Sequence, residues 1–148
     1  MGGNWGQTPI KFFAVQTYAA LHVDFSPYEE QYRDMIAFYL SVETLTATRA
    51  FAPRIAQDYP TQKAILFGSR ARGTEHDESD ADVAIILKGA VGPFIKTKMA
   101  MNDIAYDILL DTGLRIQPLP VWEAEWAHPE NYSNPHLLFN IARDGIIL

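Results

Sequence analysis

The chain has 148 residues, 48% of them hydrophobic, enough for one compact domain with its own core and too few for a second. Its net charge of −6 and the lack of any basic run argue against an extended nucleic-acid surface, because such affinity comes from clustered Lys and Arg neutralising many phosphates. Without cysteine there are no disulfides or thiolate metal sites, which fits a reducing cytoplasm, and His22, His76, His128 and His136 have no paired metal-ligand spacing.

In chain order, residues 1–25 read as a poorly defined extension preceding a single domain over 26–148. Met1–Pro9 is Gly-rich and polar. Ile10–Phe25 carries Phe12, Phe13, Val15, Tyr18, Leu21 and Val23, interrupted by Lys11, Gln16 and His22. It is too short and polar to span a membrane, and it lacks the basic leader and unbroken apolar run of a signal peptide. Its period leaves helix or strand open.

Ser26-Pro27-Tyr28-Glu29 predicts a capped helix start, and Tyr28, Tyr32, Met35, Ile36, Tyr39 and Leu40 then share one helical face. Thr44, Thr46 and Thr48 weaken the pattern, and Pro53 marks the restart of a second, short helix anchored by Phe51 and Ile55. Tyr59-Pro60 turns the chain into a strand, Ala64–Phe67, which Gly68-Ser69 ends abruptly. A polar spacer, Thr74–Ser79, follows Arg70 and Arg72 and leads into a second apolar strand through Leu87.

This second strand opens with Asp80 and Asp82. Side chains alternate faces along a strand, so the two carboxylates project the same way and can share an ion. Gly68 permits close backbone approach to a ligand, and Ser69 offers a hydroxyl and main-chain N–H groups to phosphate oxygens. Together the four residues suit phosphate handling with a hard divalent ion, magnesium or manganese. Arg70 and Arg72 are candidates for phosphate charge.

Beyond Leu87, a loop and Pro93 precede a helix to about Asp111, marked by Ile95, Met99, Ile104 and Ile108 and stopped by Gly113. Leu114–Val121 returns as a strand whose Pro118 and Pro120 predict an edge position or an irregular strand. Trp122–Trp126 predicts a helical turn, and Ser133-Asn134-Pro135 starts a helix ending near Arg143.

The run Gly68-Ser69-Arg70-Ala71-Arg72-Gly73, followed by Ser79-Asp80-Ala81-Asp82 and an apolar strand, resembles the minimal nucleotidyltransferases of the DNA polymerase β superfamily. The resemblance implies an α/β (α+β) fold, a small mixed β-sheet with helices packed on one face. It implies Mg²⁺ or Mn²⁺ on Asp80 and Asp82, a nucleoside triphosphate on Gly68, Ser69, Arg70 and Arg72, and transfer of a nucleoside monophosphate to a hydroxyl acceptor. The strand 114–121 lacks the third acid that catalytic members usually carry, and Gln117 is the candidate for its position; Glu123, Glu125, Asp107 and Asp111 are other acids to place. A second reading follows from that gap, in which the chain is a nucleotide-binding antitoxin that acts on a small helical HEPN-domain partner. Self-association is compatible with either.

Overall fold

The computed structural model describes residues 31, 34 and 40–148. The segment 1–25, and nearly all of the helix expected from Ser26, lie outside them.

The first complete element among the described residues is α1, Val42–Asp58, capped by Ser41, whose Oγ accepts from the Thr44 N–H at 3.2 Å. Where the sequence suggested weakening and a restart, one helix runs through. Thr46 and Thr48 satisfy their hydroxyls on the carbonyls of Val42 and Thr44, at 2.7 and 2.8 Å, so their polarity costs the helix little. Thr44 and Thr48 can then be buried beside Ala47, Phe51 and Ile55. Pro53 lies inside the helix on an exposed position and removes a single ladder bond.

Among the described residues four strands form one sheet in the order β3-β2-β1-β4: β1 Thr61–Phe67, β2 Ala81–Leu87, β3 Ile116–Trp122 and β4 Ile146–Ile147. β1 runs antiparallel to β2 and to β4, whereas β2 and β3 are parallel. A parallel pair needs a crossover, and between β2 and β3 it is a long helix, Phe94–Thr112. Gly113, at φ 79°, ends it by donating to the Leu109 carbonyl at 2.8 Å. β3 is an edge, as its prolines require: residues two apart point their backbone groups to the same side, so Pro118 and Pro120 withhold no donor from β2.

Between β1 and β2 lies the one-turn helix α2, Ser69–Arg72, so the crossover helix Phe94–Thr112 is α3; after β3 come α4, Glu123–Ala127, and α5, Pro135–Asp144. α1 and α3 cover one sheet face, with Phe51, Ile55, Met101 and Ile108 packed on Leu66, Val83 and Ile85. The expectation of helices on one face describes these two long helices. The other face is covered as well: Leu138 and Ile141 of α5, with Trp126 of α4, pack on Ile65, Ala84, Ile86 and Val121. The cause is β2, whose residues Val83–Leu87 are buried without interruption, which demands cover on both sides. No helix among the described residues is long and apolar enough to cross a membrane.

Candidate active site

The site forms where β1 ends. Gly68 has φ 76° and ψ −157°, a region closed to residues with a side chain. A Cβ built there would lie 2.5 Å from the Asp82 Oδ2, so the missing side chain is what allows the backbone turn and the carboxylate to share this space. After Gly68 the chain turns through α2, held by the Ala71 and Arg72 N–H groups donating to the Gly68 carbonyl at 3.2 and 3.1 Å. Ser69 opens the turn, and Gly73, at φ 70°, closes it.

Asp82 sits in the middle of the sheet, opposite Phe67 on β1 and Gln117 on β3. Asp80 lies just ahead of β2, where the Ala81 N–H bonded to the Arg115 carbonyl at 2.9 Å fixes its backbone. Gln117 donates from Nε2 to the Asp80 Oδ2 at 3.2 Å. Both carboxylates are half-buried. Burial, and then the neighbouring Asp80 charge, push the Asp82 carboxyl above the usual carboxylate range, while Arg72 and Lys98 pull the other way. Two crowded hard oxygen donors, with basic groups nearby, fit a divalent ion whose remaining ligands are substrate oxygens. Among the described residues no three or more His, Asp or Glu side chains gather to hold a metal by themselves.

The two arginines of the motif separate. Arg70 turns inward and is 3% exposed. Its Nε donates to the Ser79 carbonyl at 2.7 Å and its Nη1 to the Thr44 hydroxyl at 2.9 Å, with Glu43 3.4 Å away. Of the two arginines expected to meet phosphate, Arg70 is placed where it fastens the 74–79 spacer to α1. Arg72 is exposed and acts on the charges of both Asp82 and Asp144. Ser79 orders the spacer turn, as its Oγ accepts from the His76 N–H at 3.0 Å.

The other candidate acids are engaged elsewhere. Glu123 accepts from the Gly89 N–H at 2.8 Å, Glu125 from the Trp122 N–H at 3.0 Å, and Asp111 pairs with Arg54 at 3.4 Å. Asp107 is exposed on α3. Sequence reasoning did not find Lys98 or Asp144. Their only signal is charge at an element's margin, and α3 had been read for its apolar positions.

The family model described as Nucleotidyltransferase domain matches residues 48–140, which run from within α1 into α5 and include every site residue above except Asp144. No curated protein matches. A solved structure from Sulfolobus solfataricus, provisionally described as a nucleotidyltransferase, is 18% identical with a TM-score of 0.43, covering 72% of this chain and 86% of that one.

Proposed function

The chain belongs to the nucleotidyltransferase domain family, and we propose that it binds a nucleoside triphosphate with magnesium and transfers the nucleoside monophosphate to a hydroxyl acceptor on a protein or RNA. The observation that carries this reading is the shared space at Gly68, where a backbone turn without a side chain abuts the Asp82 carboxylate, which also feels the charge of Asp80.

In this reading Asp80 and Asp82 hold the ion, or manganese in its place. When bound, the ion supplies positive charge to the triphosphate oxygens and to the oxygens that gain charge during in-line displacement. The chain's own residues do the rest. The turn at Gly68, free of a side chain, lets the Asp82 carboxylate lie against it, while the Ser69 hydroxyl and the first amides of α2 offer donors to the β- and γ-phosphates. Arg72 faces the developing charge, and Lys98 adds a second cation to the same carboxylate neighbourhood. The acceptor hydroxyl forms its bond to the α-phosphorus as the bond to pyrophosphate breaks, and its proton needs a base.

Gln117 favours a second reading. It occupies the strand position opposite Asp82, and it presents a neutral donor to Asp80. An amide can neither match a carboxylate's charge nor accept the acceptor's proton, so the chain would bind nucleotide and act through a HEPN-type partner as an antitoxin, with weak or no transfer. Incubation with α-labelled nucleoside triphosphates, magnesium or manganese, and protein or tRNA acceptors separates the two. Label transfer that disappears in Asp80→Asn and Asp82→Asn supports the enzyme, and binding without transfer supports the second reading. Absence of metal-dependent nucleotide binding rejects both.

A further inference from the structure

α3 is apolar on two opposite sides. Thr97, Met101, Ala105 and Ile108 are buried against the domain. Ile95, Met99, Tyr106 and Leu110 are 66, 63, 59 and 67% exposed. At about 100° per residue these four fall on one stripe directed away from the sheet, so the core formed by the described residues does not cover them. Four large, adjacent, bare apolar side chains exceed what a monomer's surface ordinarily carries and mark an interface.

The stripe is palindromic. Positions 95 and 110, and positions 99 and 106, are evenly spaced about the midpoint between Asn102 and Asp103. Charge also reverses along one flank, less symmetrically: Lys96 lies near the start of the helix and Asp107 toward its end, their midpoint one residue before that of the apolar stripe. We propose that two copies of the chain pair here, α3 against α3, antiparallel about a two-fold axis beside Asn102 and Asp103. Ile95 then meets the second copy's Leu110, Met99 meets its Tyr106, and Lys96 faces its Asp107, each contact occurring twice. An isologous interface needs a self-complementary patch, and a helix whose apolar spacing reverses about its middle, with opposite charges toward the two ends of one flank, is one. Residues on one flank meet residues of the same flank in such a pair, which is why Lys96 and Asp107 match. Asp103 bears the cost, since its two copies approach one another at the axis.

The contact length, positions 95 to 110, is roughly 22 Å of helix. One helix pair of that length buries less than a standard permanent interface, so the dimer is weak and reversible.

Sedimentation equilibrium of the full chain over a range of concentrations tests the proposal. A concentration-dependent monomer–dimer equilibrium is expected. Met99→Glu and Tyr106→Glu, both at exposed positions, leave the circular dichroism unchanged and yield monomers. Asp107→Lys weakens the dimer at least about tenfold by setting like charges opposite each other. Adding Lys96→Glu to Asp107→Lys restores it, and Asp103→Asn tightens it. A wild-type chain that stays monomeric to several hundred micromolar, or a dimer that survives Met99→Glu and Tyr106→Glu, overturns the proposal.

Discussion

The Gln117 amide donates to the Asp80 carboxylate at 3.2 Å, from the strand position directly across from Asp82. It therefore keeps Asp80 oriented without adding negative charge to a pair that already repels. A carboxylate in its place would add charge, an ion ligand and a base together. Gln117→Asp is expected to weaken the metal-free fold, since three carboxylates crowd one strand end, and to raise metal affinity. Any transfer by the wild-type chain should increase in this variant. Manganese titration beside the labelled-nucleotide assay checks both, and unchanged affinity would show that position 117 does not reach the ion.

Gly68 and Gly73 flank α2 at similar positive φ, 76° and 70°, but they differ in what surrounds them. A Cβ at Gly73 meets nothing within 4 Å, whereas at Gly68 it meets Asp82. Gly73→Ala should lose about 1–2 kcal/mol of stability from its left-handed backbone and keep nucleotide affinity. Gly68→Ala should lose at least as much and abolish metal-dependent nucleotide binding, because the Asp82 carboxylate must move. Ser69→Ala is the mild member of the series, expected to cost about 1 kcal/mol of binding. Calorimetric titration with Mg-ATP ranks the three, and equal affinities would remove α2 from the phosphate site.

Asp82 makes stability depend on pH when no metal is present. Its folded-state pKa lies above the unfolded value, chiefly through burial, so folding disfavours the ionised form. The wild-type chain therefore loses stability as pH rises through the raised pKa, and Asp82→Asn does not. In EDTA at neutral pH the variant should melt at a higher temperature than wild type. The gap should close as pH falls through the raised pKa to below the ordinary aspartate value. A lower Tm for Asp82→Asn at neutral pH would contradict the assigned cause.

The features legible in the sequence were those set by local rules. Gly113 stops α3, the prolines of β3 select an edge, and the paired aspartates announce a strand beginning, all because a single residue's geometry suffices. Tertiary context decided the rest. Threonines that looked like breaks in α1 satisfy their hydroxyls on the preceding turn, so Thr44 and Thr48 become core residues. Lys98 approaches Asp82 only because the crossover lays α3 across the sheet, an event 16 residues distant in sequence. The second helix layer was implied by the unbroken apolar run of β2, yet which segment would supply it was not readable from α5's short, mixed sequence.

Arg70 and Arg72 are two residues apart and chemically identical, and the sequence gives no reason to divide them. The fold does, since Arg70 is 3% exposed with its donors on Ser79 and Thr44, while Arg72 is exposed beside the carboxylates. Arg70→Ala strands the Ser79 carbonyl, takes one donor from the Thr44 hydroxyl, which keeps Ser41, and leaves a guanidinium-sized void, and should cost about 2–4 kcal/mol of stability. Arg70→Lys keeps the charge but cannot reproduce the planar fork, so it should recover only part of that loss. Arg72→Ala should change stability by less than about 0.5 kcal/mol, as surface substitutions do, and weaken triphosphate binding more than monophosphate binding. Chemical denaturation followed by titration with ATP and AMP distinguishes the two roles. If Arg72→Ala unfolds the protein while Arg70→Ala binds ATP poorly at unchanged stability, the division drawn between the two arginines is reversed.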